Sequence, residues 1–178
     1  MTRDGDDLDE FGIGVDGLVG TTHRPSGGDA LLRGDVITAQ RPVLDKSLLP
    51  PGPWRTEPDY REWLSRALFT CFIERNNLGA WCGYVEVQKG HPWHGKTSDD
   101  LNVQVHGGVT YTDTDVEKGR PDRGRWVIGF DCGHGFDLIP AFQHLSGRVG
   151  GPATYRDIDY VVAQCEALAQ QALQAGPP

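Results

Sequence analysis

Three strand-like runs lie within residues 80–131, joined by turn-rich connections with no helical period, and this spacing constrains the fold more than any other feature. The first run, AWCGYVEVQ, puts Cys82, Tyr84, Glu86 and Gln88 on one face and Trp81, Gly83, Val85 and Val87 on the other. In the second, LNVQVHGGVTYT, Leu101, Val103, Val105, Val109 and Tyr111 point inward, with Asn102, Gln104 and His106 opposite. RWVIGFD separates Trp126, Ile128 and Phe130 from Val127, Gly129 and Asp131. The connections, KGHPWHGKTSDD and TDTDVEKGRPDRG, are polar. Parallel neighbours need a crossover, usually helical, so these runs read as antiparallel.

A helix is predicted on each side of the sheet. Over 58–75, Tyr60, Trp63, Leu64, Ala67, Leu68, Cys71 and Phe72 follow the i, i+3, i+4 spacing of one buried face, with Thr56 as N-cap and Asn76, Asn77 and Gly79 as the stop. Over 155–173, Ile158, Val161, Val162, Cys165, Leu168, Ala169 and Ala172 form the apolar face after a Thr154-x-x-Asp157 start. The order helix, three strands, helix gives an α+β domain over residues 56–175, built on a small antiparallel sheet of about three strands. Residues 1–55 have no sustained period and read as a Gly/Pro-rich tail that ends in the linker LLPPGP. The patch around Phe11–Val19 is the part of that tail suited to add an edge strand or to dock on a protein partner.

Composition narrows the partners. A net charge of −8 with no basic stripe argues against general binding to duplex nucleic acid. Arg120, Arg123 and Arg125 are interleaved with acids and read as a solvated loop. No apolar stretch reaches the roughly 20 residues of a membrane span, and the acidic start lacks signal-peptide order. Four widely spaced cysteines without a CxxC pair fit reduced thiols, and hence a soluble cytoplasmic protein.

Side chains of functional type gather in three places: His91-Pro92-Trp93-His94, His106-Gly107-Gly108 and Asp131-Cys132-Gly133-His134, the last continuing to Asp137. Imidazole and carboxylate suit zinc and similar ions, so His91, His106, Asp131 and His134 are the candidate ligands of a divalent metal. Their spacing matches no standard zinc pattern. Cys132 with His134 or His106 is the candidate catalytic set of a thiol mechanism. The glycine pairs could instead present backbone N–H groups to an anion. On that reading a small polar or nucleotide-like ligand contacts His91, Trp93, Gln104, His106, Gly107, Gly108, Asp131, Gly133, His134 and Asp137. For each histidine a purely structural role competes: His91 as a turn residue resting on Trp93, His94 as a loop residue, His106 as a sheet histidine.

The ordered set WCGYVEVQKGHPWHG, DLNVQVHGGVTY, WVIGFDCGHGFD and YRDIDYVVAQCEALAQQ resembles a family of small uncharacterised proteins of actinobacterial bacteriophages and prophages, over roughly residues 60–173. The chain departs from that pattern in a longer, more polar end to the His91-Pro92 loop and in Phe136 before Asp137. The resemblance implies phage or prophage origin and action inside a bacterial host; it implies no reaction. The functional expectation is an accessory protein binding a small polar or nucleotide-like ligand, such as a host signalling molecule. The alternatives are a metal-dependent or Cys/His hydrolase and a protein-interaction or virion accessory module.

Overall fold

The computed structural model describes residues 45–145 and 152–178. Residues 1–44, with the Phe11–Val19 segment considered above as edge strand or docking peptide, lie outside the described residues. The fold is α+β: five antiparallel strands and a C-terminal helix. The strands are β1 (Tyr60–Leu64), β2 (Thr70–Arg75), β3 (Trp81–Val87), β4 (Tyr111–Thr114) and β5 (Trp126–Asp131), and the helix α1 is Ile158–Ala175. Their order across the sheet is β1-β2-β3-β5-β4. The composition of each strand explains its place. β3 is buried along its whole length and β5 through Val127–Phe130, so these two run down the middle. The polar YTDT of β4 takes an edge, where one side of the backbone faces no neighbour.

The helix predicted over 58–75 is instead the β1–β2 hairpin, with Trp63 opposite Cys71 and Tyr60 opposite Glu74. Ser65 makes the turn: its N–H donates to Phe69 O (2.8 Å), its carbonyl accepts from Leu68 N (2.9 Å), and its hydroxyl accepts from Phe69 N (3.0 Å). Leu68 takes the left-handed conformation the turn requires (φ 65°). The helical period was misleading because both faces of these strands are buried. Trp63, Cys71 and Ile73 enter the core under α1, while Tyr60 and Phe72 enter a second cluster on the other face. Apolar residues of both parities then imitate i, i+3, i+4 spacing, and the Phe-Thr-Cys-Phe-Ile run tips the balance toward a strand.

The C-terminal helix is present over Ile158–Ala175 and buries Val161, Cys165, Leu168, Ala169 and Ala172. Its N-cap is Asp157, whose carboxylate accepts from Tyr160 N, rather than Thr154. Gly83 lets the helix sit close: a Cβ there would lie 2.5 Å from the Phe130 ring and 2.7 Å from Cys165 Sγ.

Of the second predicted strand only Tyr111 and Thr112 lie in a strand, β4, which runs on to Thr114 in what was expected to be a connection. Leu101, Val103, Val105 and Val109 do pack on the core, as the alternation indicates, but 101–105 runs beside α1. There, Gln171 substitutes for a neighbouring strand: its side-chain amide accepts from Gln104 N and donates to Gln104 O, both at 2.8 Å. Two helical turns earlier, Gln164 Oε1 accepts from His106 N at 3.0 Å. The backbone of Gln104 and the His106 N–H are thus satisfied without a sheet.

The second face of the sheet is closed over β1–β3 by the loop 115–125. Arg120 lies 4.2 Å over the Phe72 ring and pairs with Glu62 and Glu86. Arg125 also pairs with Glu86, whose side chain is 1 % exposed, and Lys118 pairs with Glu74 over the Tyr84 ring. Arg120 and Arg125, expected in a solvated loop, are therefore partners of buried or half-buried acids, while Arg123 is exposed as expected. LLPPGP, expected as linker, packs Leu49 into the fold, and Trp54 directly after it is buried as well. Fully buried Arg75 donates to Gly79 O, Glu57 and Tyr155 Oη, lies 4.0 Å over Trp81, and so anchors the chain just before Arg156. Among the described residues no helix is long and apolar enough to cross a membrane.

Candidate functional site

Two loops and the start of α1 meet at one point. His106 occupies a turn closed by Gly108 N donating to Val105 O at 3.0 Å. Gly107 and Gly108 both have positive φ (66° and 87°), which their lack of a side chain permits. The second loop leaves β5: Cys132 N donates to Trp81 O, and Asp137 N to His134 O. It is then fastened to the segment entering α1, with Leu138 N donating to Thr154 O and Thr154 N to Phe136 O, each at 2.9 Å. That segment delivers Arg156 and Tyr160.

Asp137 is the centre of the group. Its side chain is 1 % exposed. Oδ1 accepts from Arg156 Nε (2.8 Å), and Oδ2 accepts from His106 Nε2 (2.8 Å) and His134 N (3.0 Å). Burial by itself pushes the Asp137 carboxyl up, but hydrogen bonds from Arg156, His106 and the His134 backbone outweigh it and hold the group below the usual carboxylate range. Asp137 is therefore an ionised carboxylate in a nearly closed setting. The hydrogen bond to Asp137 in turn holds the Arg156 guanidinium above its ordinary value.

The two imidazoles complete the arrangement. His106 Nδ1 lies 3.0 Å from Tyr160 Oη and Nε2 lies 2.8 Å from Asp137 Oδ2, so the ring bridges the two side chains. His134 meets His106 edge-on at a centroid distance of 5.2 Å, and its Nδ1 stands 3.4 Å from Asp137 Oδ2 without a hydrogen-bond partner. The ring packs against Gly107 so closely that a Cβ there would lie 1.9 Å from His134 Cε1.

His106, His134 and Asp137 each offer one ligand atom within 4.8 Å of the others. Zinc bonds of about 2.0–2.1 Å in a tetrahedron separate ligand atoms by about 3.3 Å. The 2.8 and 3.4 Å approaches to Asp137 Oδ2 bracket that value. Tyr160 on the far nitrogen of His106 and Arg156 on the second oxygen of Asp137 are the kind of outer partners that orient metal ligands. Three protein ligands leave a position for water or substrate, the pattern of catalytic rather than structural zinc.

The structure separates the other sequence candidates from this centre. His91 is buried between Phe69 and Trp93; its Nδ1 accepts from Trp93 N and its Nε2 donates to Ala172 O at the end of α1. It is a core histidine, and Trp93 is a core residue beside it. His94 sits at Gly124 O and Trp126. Gln104 is engaged through its backbone by Gln171, and the Gly108 N–H is used inside its own turn. Asp131 is outside the metal-competent group; its Oδ1 accepts from Gly133 N. Both residues line a cleft of about 420 Å³ on the second face of the sheet, together with Asn76, Tyr84, Thr110 and Tyr111. Cys132 is 3 % exposed, and burial pushes its thiol far up, with the Asp137 charge adding to the effect. A nucleophilic thiolate needs the opposite setting, exposed and electropositive.

Sequence reasoning named Asp131 rather than Asp137 as the metal's carboxylate, and missed Arg156 and Tyr160. One signal was available: Arg156 sits directly before the Asp157 cap, where the helix dipole is unfavourable to a cation, so a carboxylate partner is favoured there. No protein-family model, no curated protein and no solved structure matches this chain.

Proposed function

We propose that the protein is a metal-dependent hydrolase of small polar substrates, with a divalent ion, zinc foremost, held by His106 Nε2, His134 Nδ1 and Asp137 Oδ2. The observation that carries the reading is the convergence of two imidazoles and one buried, ionised carboxylate from separate loops. A bound ion would lower the pKa of its water toward ~7 and supply hydroxide at neutral pH. To hold an ion through Nε2, His106 would carry its one ring proton on Nδ1 and donate it to Tyr160 Oη. The thiol version of a hydrolase is not proposed, because Cys132 lacks an activating environment.

The test is elemental analysis of purified protein, followed by titration of metal-free protein with zinc or cobalt(II). One equivalent, lost in His106→Ala and His134→Ala, is expected. A folded wild-type protein that takes up no ion refutes the reading.

A second reading, a binding protein without chemistry, is favoured by the cleft that Asp131 and Gly133 line, whose volume falls in the range of small-molecule sites. Retained binding of a small polar ligand in His106→Ala, lost in Asp131→Asn, would favour it. In the phage setting implied by the four-motif resemblance, either activity would serve inside the bacterial host.

A further inference from the structure

Arg156 uses one donor on Asp137. Its Nε reaches Oδ1 at 2.8 Å, its guanidinium lies 4.9 Å from the centroid of the Tyr160 ring, and Nη1 and Nη2 have no partner among the described residues. A guanidinium carries five N–H donors in a rigid fork that matches oxyanions. Here the fork is fixed on one side by the carboxylate and on its face by the ring, while a quarter of the side chain stays open to solvent. The carboxylate that holds Arg156 through Oδ1 offers Oδ2 to the two histidines. An ion held at Oδ2 and the guanidinium held at Oδ1 would therefore share one carboxylate. With Asp137 as the one carboxylate in the cluster, an ion plus Arg156 leaves it with excess positive charge. The neighbouring acids are committed elsewhere: Asp157 caps α1 and Asp131 holds Gly133 N.

We infer that the substrate of this centre carries an oxyanion, and that one of its oxygens binds the ion while another is received by the free guanidinium edge of Arg156. This rests on the metal-centre reading. A phosphoryl group and a carboxylate share the required chemistry, and the two are separated by the probes used.

The experiment loads the full-length protein with cobalt(II), whose visible spectrum reports the coordination sphere, and titrates it with inorganic phosphate and, separately, acetate. It is repeated in Arg156→Lys and Arg156→Gln, with calorimetry on metal-free protein alongside. Expected is a spectral change on adding an anion to the wild type, about 10- to 100-fold weaker in the variants, from the loss of charge-assisted hydrogen bonds. Cobalt affinity itself should survive in Arg156→Lys, whose ammonium can still reach Asp137. A phosphate response without an acetate response identifies a phosphoryl substrate, and the reverse a carboxylate. If cobalt binds but neither anion alters its spectrum, or wild type and variants respond equally, the inference is overturned. Loss of cobalt in both variants also overturns it, leaving Arg156 a positioning residue for Asp137. If the wild type binds no metal, the metal-centre reading fails; Arg156-dependent phosphate binding to metal-free protein would then preserve the anion site alone.

Discussion

Substituting Gly107 with alanine separates backbone strain from site geometry, because Gly108 is a matched control. Both glycines have positive φ, where an L side chain costs roughly 1–2 kcal/mol. Around Gly108 a new Cβ meets nothing within 4 Å, whereas at Gly107 it would stand 1.9 Å from His134 Cε1 and 2.2 Å from Nε2. Carbon atoms in contact sit about 3.5–4.0 Å apart, so the His134 ring must retreat by about 1.5–2 Å. The ring is 37 % exposed and can swing outward at little cost to stability. Ligation tolerates displacements of only about 0.2 Å. Both variants should therefore lose a similar ~1–2 kcal/mol in chemical denaturation. Zinc affinity should fall by at least about 10- to 100-fold in Gly107→Ala and stay near wild type in Gly108→Ala. Affinity is read by competition with a chromophoric chelator. Equal zinc affinity in the two variants would refute the assignment of His134 as a ligand.

His91→Ala should destabilise the fold by about 2–4 kcal/mol, through the vacated space between Phe69 and Trp93 and the lost bonds to Ala172 O and Trp93 N. Zinc stoichiometry should be unchanged, and its loss would reinstate His91 at the centre. In Glu62, burial raises the carboxyl, but hydrogen bonds and charge from Tyr60 and Arg120 bring it below its ordinary 4.5. Its contribution is thus full above pH 4.5 and fades as pH falls through the lower folded value. Glu62→Gln should flatten that acid limb in denaturation measured across pH 3–6, and an unchanged limb would contradict the pairing with Arg120. All four cysteines are buried, and burial pushes even Cys82 to about 11. Thiol reagents should therefore label the native protein slowly at pH 7.5, and Cys132→Ala should keep full metal binding; rapid stoichiometric labelling of Cys132 would sink this.

The readable parts of the chain were the C-terminal helix and the central strands. In α1 the apolar stripe from Val161 to Ala172 was legible because only one side of the helix is buried. The side-chain parity of β3 and β5 was legible too, since period two assigns faces whatever the sheet order. β1–β2 was not: Tyr60, Trp63, Leu64, Ala67, Leu68, Cys71 and Phe72 fall at helical spacing across the hairpin, a coincidence that β3 and β5 lack although they too are buried on both faces. The 101–105 segment failed for a different reason. Its alternation is genuine, but alternation reports which side is buried and not whether the backbone bonds a strand or two glutamines.

For the site, local sequence singled out His106 with its glycine pair and the Asp131–His134 loop, because residues of rare chemical type beside glycines are visible without a fold. Sequence alone determined these ingredients, the helix and the antiparallel character of the sheet, all of which follow from spacing and from periods within a single segment. Only the tertiary structure decided which histidines meet. It sent His91 to the C-terminal end of α1 and joined His106 to Asp137, 31 residues away, and through Asp137 to Arg156. The reason is that loop positions are set by what the loops rest on: Gln164 for one, the Thr154 backbone for the other. Those partners lie in distant segments, and no local pattern in either loop encodes them.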